Sequence, residues 1–221
     1  MRFECGPEWD IRVIDIKPKN KIGIMMTGGI DSLVLYNLLK IVMGDPSKIL
    51  IFNVIALGDH GEGYDSPERV SLLTDRYDII KIDKYIKHTE NDKPYYKPWT
   101  EVLDLSQTHM LEDFDIDELY IGMNMNPPTE FFPEFDTSDK PRRFWYTQET
   151  SETSRMPKSA LTKMRAPFLN LYKYHILDLA NKNNIDLRHT QSCQEYMHGH
   201  CGECWWCLER TWGYNQLKIT K

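Results

Sequence analysis

The chain alternates between short runs of apolar residues and stretches in which apolar residues recur every three or four positions. The runs are nearly continuous in hydrophobicity, which is typical of strands buried on both faces of a parallel sheet. The pattern predicts strands at 22–26, 49–55, 77–82 and 118–122, and helices at 33–42, 66–76, 99–111 and 171–182. Strands that alternate with helices indicate right-handed βαβ units. The predicted fold class is therefore α/β, a Rossmann-like parallel sheet with helices on both faces.

Three shorter stretches add to this outline. Residues 9–16 are rich in β formers and are predicted to form an edge strand ahead of the first core strand. Residues 159–163 are predicted to form a short helix, and residues 185–190 a short last strand.

The segment 124–166 interrupts the alternation. It contains five prolines and the aromatic pairs at 131–132 and 144–145. A connection of this length in a compact domain is usually a lid, a binding loop or disordered. We expect a lid whose aromatic rings stack on a substrate, and the alternative is that these rings fill an interface between two copies of the chain.

The length of 221 residues suits one α/β domain with a small appendage. We assign residues 1–190 to a nucleotide-binding α/β domain that includes the insertion at 124–166, and residues 191–221 to the appendage. The net charge of −6 argues against general affinity for nucleic acid, which requires a basic face. The chain lacks an apolar run long enough for a membrane span and begins without the apolar core of a signal peptide, so we expect a cytosolic protein.

A phosphate site is predicted where the first core strand turns into the first helix. Two glycines allow the backbone to approach a ligand closely, and the start of the helix presents N–H groups with the positive end of its dipole behind them. Hydroxyls flank the turn on both sides, and no Walker lysine follows it. A tight turn that is rich in glycine for packing reasons is the alternative. The residues concerned are Thr27, Gly28, Gly29, Ile30, Asp31 and Ser32.

A metal site is predicted near the end of the chain, where four of the five cysteines are spaced C-x7-C-x2-C-x2-C. Four thiolates suit a closed, structural Zn²⁺ site with no open position for catalysis. His198 or His200 replacing one sulfur, disulfides and an iron–sulfur cluster are the alternatives. Cys5 stands apart and is expected to be a partly buried thiol. The predicted ligands are Cys193, Cys201, Cys204 and Cys207.

Together the two motifs resemble those of the 7-cyano-7-deazaguanine synthases, a family of PP-loop ATP pyrophosphatases. The turn at 27–32 is similar to the SGGxDS loop of these enzymes, and residues 201–210 are similar to their CGxCxxCxxR cluster. Shorter similarities are T-x-S-C at 190–193, the run that ends at Lys173 and G-x-N at 122–124.

The resemblance implies a reaction. In the family, ATP adenylates the carboxylate of 7-carboxy-7-deazaguanine, ammonia displaces AMP to give the amide, and a second ATP activates the amide so that the nitrile forms. The implied ligands are ATP with Mg²⁺, the deazapurine carboxylate, ammonia and a structural Zn²⁺. No membrane and no direct nucleic-acid partner are expected, and formation of a homodimer stays open.

The resemblance also implies roles for single residues. The backbone of the 27–32 turn would cradle pyrophosphate, Thr27 and Ser32 would donate hydroxyls, and Asp31 would hold Mg²⁺ or fix the loop. Lys173 would balance charge near the α-phosphate, and Lys163 and Arg165 are further candidates for that task. Substrate-binding residues would be Gly122, Asn124 and Glu134.

Other functions stay open at this point. The region 126–134 departs from the family's usual substrate-side pattern, so an enzyme that stops at the amide, activates another carboxylate or thiolates RNA is the alternative. Thiolation usually needs a redox cysteine or a cluster, and Cys5 is the one cysteine outside the C-terminal group. A non-catalytic, zinc-stabilised nucleotide-binding module is the third reading.

Overall fold

The computed structural model of the protein describes residues 1–57, 67–83, 85–87, 94–96, 99–131, 158–193 and 199–218. Within these residues, five strands form one parallel sheet in the order β5-β4-β3-β8-β9. The strands are β3 (Ile22–Met25), β4 (Ile49–Leu57), β5 (Asp78–Asp83), β8 (Glu118–Ile121) and β9 (Met164–Arg165). The predicted fold class and the four predicted core strands are thus confirmed.

Helices cover both faces of this sheet. Ile22, Ile24 and Ile51 pack into a core with α1 and α5, whereas Met25 and Phe52 pack on the opposite face against α3 and α4. The side chains alternate because neighbouring residues of a strand point to opposite faces. The helices are α1 (Ile30–Met43), α2 (Pro67–Ser71), α3 (Trp99–Asp113), α4 (Lys158–Leu161), α5 (Lys173–Lys182) and α6 (Trp205–Leu217).

The predicted edge strand at 9–16 is wrong in its placement. β2 (Arg12–Asp15) pairs antiparallel with β1 (Arg2–Cys5) and forms a separate hairpin. Residues of β1 are alternately exposed and buried, which shows that one face of the hairpin is buried. The hairpin packs against α5. Residues 2–5 supply the backbone partners that the main sheet would otherwise have provided. β6 (Tyr85–Lys87) and β7 (Pro94–Tyr96) form a second antiparallel pair.

The predicted last strand at 185–190 is also wrong. The N–H of Ile185 donates to the Ala180 carbonyl, and the N–H of Thr190 donates to the Leu187 carbonyl. Local turns therefore use the backbone groups that a sheet would require. The fifth strand is instead β9, whose residue Met164 lies opposite Leu119 of β8.

The other predicted elements differ from the observed ones mainly at their ends. α2 is shorter than predicted, and the short helix predicted at 159–163 is α4. Short 3-10 helices lie at Pro46–Lys48 and Thr129–Phe131. Among the described residues, no helix is both long enough and apolar enough to cross a membrane.

Candidate active site

The turn between β3 and α1 is the centre of the site. Gly28 has a φ of +80°, and a Cβ at this position would lie 2.6 Å from the Cβ of Arg69. Residues with a side chain rarely adopt this backbone conformation, and Arg69 leaves no room for a Cβ at this position. Both facts require glycine at this point of the loop.

Two hydroxyls hold the shape of the loop. The N–H of Thr27 donates to Ser32 Oγ at 3.2 Å, and this Oγ donates to the Gly29 carbonyl at 3.1 Å. The N–H of Gly29 in turn lies 3.4 Å from Thr27 Oγ1, which accepts from it. Thr27 and Ser32 are therefore part of the loop's own hydrogen bonding in this structure.

The start of α1 is suited to an anion. Gly29 is the N-cap and offers no side-chain hydrogen bond to the helix, and the N–H of Leu33 makes the first helical bond, to the Gly29 carbonyl. The N–H groups before Leu33 have no partner within the helix, and the positive end of the helix dipole lies at the same place. A glycine loop that leads into a helix in this way is a recurrent phosphate site.

A buried ion network lies beside the loop. Lys173, the first residue of α5, is only 4% exposed, and its Nζ donates to both carboxylate oxygens of Asp31 at 2.6 Å. The same Nζ lies 3.6 Å from Glu209 Oε2, and Glu209 Oε1 accepts from Asn124 Nδ2 at 2.8 Å. Asp31, Lys173 and Asn124, all predicted from the sequence, are thus brought together by a fourth residue, Glu209.

The sheet topology explains why these residues meet. Chain order reverses at β3, which lies between β4 and β8, and ligands of open α/β sheets bind at such a reversal. Gly122 follows β8 directly, and a Cβ there would lie 2.7 Å from the backbone nitrogen of Ser32. The absence of a side chain at Gly122 therefore allows the end of β8 to pack against the first turn of α1.

The loop has two further supports that the sequence analysis missed. Asn53 is fully buried, and its Nδ2 donates to the Met26 carbonyl at 3.0 Å. Its signal was visible, because Asn53 is the one polar residue in the apolar run at 49–55. Arg69, on α2, is 7% exposed and backs Gly28 through its Cβ.

The four predicted cysteine ligands come together. The Sγ atoms of Cys193, Cys201, Cys204 and Cys207 all lie within 4.8 Å of one another, and those of Cys201 and Cys207 are 3.9 Å apart. A tetrahedral zinc site with Zn–S bonds of about 2.3 Å places its sulfurs about 3.8 Å apart, so this donor set fits such an ion.

The backbone around the cysteines also favours thiolate ligands. The N–H groups of Cys204 and Glu203 donate to Cys201 Sγ, and they lower the pKa of the Cys201 thiol to about 7. Burial raises the pKa of Cys207 to about 12. A bound cation would supply the positive charge that the Cys207 thiolate needs.

The cysteine site adjoins the phosphate loop. The N–H of Gln191, two residues before Cys193, donates to the Gly28 carbonyl at 2.9 Å. Arg210, three residues after Cys207, donates to the carbonyl and the hydroxyl of Thr190 at 3.1 and 3.2 Å. The chain on both sides of the cysteines is therefore bonded to the loop or to its neighbour.

Some sequence-predicted residues are not brought to the loop. Arg165 pairs at 2.6 Å with Glu118, at the end of the sheet opposite the loop, and Lys163 precedes Arg165 on the same side. Arg165 is thus held by a carboxylate where strand β8 begins, away from the edge that carries the phosphate loop.

Other predicted residues lie outside the site or outside the described residues. Glu134 and His198, like most of the 124–166 segment, lie outside the described residues. His200 is exposed, with its Nδ1 3.8 Å from Cys207 Sγ. Cys5, the last residue of β1, is fully buried where a partly buried thiol was expected, and burial raises the pKa of its thiol to about 12.

A family model described as QueC, queuosine biosynthesis protein QueC, matches residues 69–218, which is more than half of the chain. The match contains Gly122, Asn124, Lys173, Glu209 and the four cysteines, and the loop at 27–32 precedes it. It confirms the family resemblance that the sequence motifs indicated. No curated protein matches the chain.

Two enzymes are among the solved structures to which the chain is distantly similar. One is the U34-tRNA thiolase NcsA from Methanococcus maripaludis with its 4Fe–4S cluster, at 14% identity and a TM-score of 0.47 over 90% of this chain. The chain spans 64% of that thiolase, which is less than two thirds of its length. The other is the NMN synthetase from Francisella tularensis, at 13% identity and a TM-score of 0.42, with 92% of this chain and 79% of that chain covered.

Proposed function

The chain belongs to the family of the queuosine biosynthesis protein QueC and is an ATP-using enzyme, and from this premise we propose that it converts 7-carboxy-7-deazaguanine and ammonia to 7-cyano-7-deazaguanine. The reaction proceeds through adenylated intermediates and releases AMP and pyrophosphate. The enzyme is accordingly an ATP-dependent ligase that forms a carbon–nitrogen bond.

The observation that carries the proposal is the phosphate loop. Its glycines leave the start of α1 open to an anion, and it has no Walker lysine to direct cleavage to the γ-phosphate. In the proposed reaction the departing group is pyrophosphate, which offers more oxygens to backbone N–H groups than a single phosphate does. The loop would stabilise the negative charge that develops on pyrophosphate as the α–β bond breaks.

Lys173 and Asp31 supply the charged groups. Lys173 Nζ lies within reach of the loop and carries a positive charge that can balance the α-phosphate during transfer of AMP to the carboxylate. Asp31, in the first turn of α1, would orient Nζ and provide a carboxylate oxygen for the Mg²⁺ that accompanies ATP. Apart from this charge balance, the protein's task is to position carboxylate, ammonia and ATP against one another.

We propose Zn²⁺ for the cysteine site. Cys193, Cys201, Cys204 and Cys207 would hold it, and four thiolates leave no position for a water or substrate. The ion would supply folding stability to the start of α6 and to the segment before it.

The proposal assigns the substrate to the side of the loop where β8 ends. Gly122 and Asn124 lie there, and Glu134 is the proposed acceptor for the N–H edge of the deazapurine. In the same reading, the part of the 124–166 segment that precedes α4 is the lid that covers the base, since α4 and β9 belong to the core and the main sheet. RNA thiolation is the alternative function, and it would require an iron–sulfur cluster at the four cysteines, because burial raises the pKa of the Cys5 thiol and keeps it protonated at neutral pH.

The test is the nucleotide product. Incubation with ATP, Mg²⁺, ammonium and 7-carboxy-7-deazaguanine should yield AMP and pyrophosphate, and omission of the deazapurine should abolish most of this turnover. Formation of ADP, or turnover that is independent of the deazapurine, would contradict the proposal.

A further inference from the structure

Glu209 is a buried acid with a position that the phosphate chemistry does not by itself explain. It is 1% exposed, lies on α6 and is two residues from Cys207. Its two carboxylate oxygens point to different elements: Oε1 accepts from Asn124 after β8, and Oε2 lies 3.6 Å from Lys173 Nζ at the start of α5.

Helix α6 also contacts the stem of the same lysine. Gly213 lies one turn after Glu209, and a Cβ at Gly213 would lie 2.9 Å from Lys173 Cγ. Residues four apart share one face of a helix, so α6 contacts Lys173 at its ammonium and at its aliphatic stem from a single face. The other partner of the ammonium is Asp31, at the loop.

The start of α6 is in turn part of the cysteine site. Cys204 is the N-cap of α6, and Cys207 lies in its first turn. A metal ion held by these thiols would fix the end of α6 from which Glu209 projects. A series of contacts therefore runs from the cysteines through Glu209 and Lys173 to Asp31 in the phosphate loop.

A purely electrostatic role of Glu209 and a positioning role predict opposite changes in ATP binding when its charge is removed. Lys173 lies between two carboxylates, so the three side chains together carry a net negative charge next to a site proposed for the polyanion ATP. If Glu209 acted only through its charge, its neutralisation would strengthen ATP binding. If Glu209 holds Nζ in place, its neutralisation would weaken ATP binding.

We propose that Glu209 is a positioning residue, which holds Lys173 Nζ at the phosphate loop and thereby links the cysteine metal site to nucleotide binding. The inference rests on the proposed function only in that the loop binds ATP. It does not depend on the identity of the acceptor substrate.

The test measures the binding of α,β-methylene-ATP with Mg²⁺ by calorimetry, since this analogue cannot be cleaved at the α–β bond. Glu209→Gln keeps the size of the side chain and an acceptor for Asn124. It should weaken binding about tenfold while metal content and melting temperature stay close to those of the wild type. Glu112→Gln is the matched control, because Glu112 is an exposed acid of α3 on the opposite face of the sheet, and its binding should stay within about twofold of the wild type.

A double-mutant cycle shows whether Glu209 acts through Lys173. In a Lys173→Met background, Glu209→Gln should cause almost no further loss, because the group that it positions is gone. Gly213→Ala, introduced alone, places a methyl group against the stem of Lys173 and should weaken binding of the ATP analogue. If Lys173→Met fails to fold, this variant is the test of whether α6 positions Lys173.

Three results would overturn the inference: unchanged or tighter binding in Glu209→Gln, full additivity in the cycle, or no effect of Gly213→Ala. Each leaves the proposed function standing if the wild type still forms AMP. A wild type that binds no analogue would overturn the inference and the proposed function together.

Discussion

At the scale of single residues, the site depends on a few side chains whose partners are fixed. Asp31 and Lys173 are far apart in the chain, yet two hydrogen bonds of 2.6 Å join them at the phosphate loop. The Asp31 side chain is 21% exposed and Lys173 Nζ also lies 3.6 Å from Glu209, so removing Asp31 should cost less than the about 3–5 kcal/mol typical of a fully buried ion pair. Substitutions here must therefore be judged by turnover and by stability together.

Asp31→Ala should lower kcat for AMP formation at least about a hundredfold, the scale expected for the loss of one electrostatic contact at the reacting group. Steady-state kinetics with quantified AMP provide the measurement, and thermal melting confirms folding. Asp115→Ala is the control, since the Asp115 side chain is 99% exposed and pairs with Lys21 at the surface. A folded Asp31→Ala enzyme with turnover close to the wild type would remove Asp31 from the reaction.

Gly122→Ala should damage the site through sterics alone. The new Cβ would lie 2.7 Å from the backbone nitrogen of Ser32, so the first turn of α1 must shift. We expect weaker ATP binding and a lower kcat. Gly44→Ala is the comparison: among the described residues no neighbouring atom lies within 4 Å of the position that a Cβ would take there, and the φ of +68° alone costs about 1 kcal/mol. Gly44→Ala should lower the melting temperature and spare the kinetics; equal kinetic effects of both substitutions would refute the close-contact explanation.

At the scale of elements, the N-terminal hairpin holds the start of α5. Asp10 accepts from the Tyr174 hydroxyl and lies 3.3 Å from His175 Nε2, while Arg12 pairs with Asp10. The adjacent residue is Lys173, so the hairpin stabilises the end of α5 that carries the ammonium. The family model matches residues 69–218, so the hairpin lies outside the matched region.

Stability should fall in mild acid because of His175. Its ring is fully buried, with Nδ1 accepting from the Tyr172 N–H, and burial lowers its pKa to about 4, below the value of about 6.5 in the unfolded chain. The unfolded state therefore takes up the proton first, and the free energy of unfolding falls as pH decreases from about 6.5 to 4. The loss attributable to this residue is roughly 3 kcal/mol.

Melting curves at several pH values between 4 and 7 measure this effect. Glutamine at the third helical position can accept the same bond from Tyr172, so His175→Gln should fold and show a shallower pH dependence than the wild type. His189→Gln, at an exposed position, should retain the full pH dependence. Identical slopes for the wild type and His175→Gln would contradict the assignment.

Much of the sheet was readable from the sequence, for a physical reason. Parallel strands buried on both faces need continuous apolar runs, and the runs at 22–26 and 49–55 became β3 and β4. The strand predicted at 185–190 does not form, because the backbone groups of this mixed apolar and polar stretch make hydrogen bonds within local turns. The strand predicted at 9–16 pairs with residues 2–5, which lie closer to it in the chain than the main sheet does. The pattern of apolar and polar side chains does not specify with which segment a strand forms its backbone hydrogen bonds.

The site was readable only in part. The loop and the cysteines have spacings that local chemistry explains. Glu209 has no such signal, because its importance comes from α6 packing on α5, and Gln191 contributes a backbone N–H, which every residue except proline has. The motifs therefore predict only some residues of the site, and the others are determined by packing between distant parts of the chain.

At the scale of the whole molecule, the four-cysteine site and the loop at 27–32 form one connected region. Cys193 follows Gln191, which bonds to Gly28, and α6 runs from Cys204 to the neighbourhood of Lys173. The described residues between 191 and 218 therefore pack against the loop at 27–32 and against α5 through defined hydrogen bonds and ion pairs.

Metal removal should have two consequences. Metal analysis should find about one Zn²⁺ per chain, and chelation should lower the melting temperature and destabilise the C-terminal region, since structural zinc contributes folding energy directly. The same treatment should weaken binding of the ATP analogue, and re-addition of Zn²⁺ should restore it. A visible absorbance band in the isolated protein, or full stability after complete metal removal, would contradict a structural zinc.

The most direct measurement of the proposed reaction follows the carboxylate oxygens. With 7-carboxy-7-deazaguanine labelled with oxygen-18 in its carboxylate, each adenylation transfers one labelled oxygen to AMP. Mass spectrometry should therefore find both labels in AMP, one per molecule, and an unlabelled nitrile product. Labelled product that retains oxygen as an amide would show that the reaction stops after one adenylation. Label in phosphate, or ADP as the nucleotide product, would contradict adenylation itself.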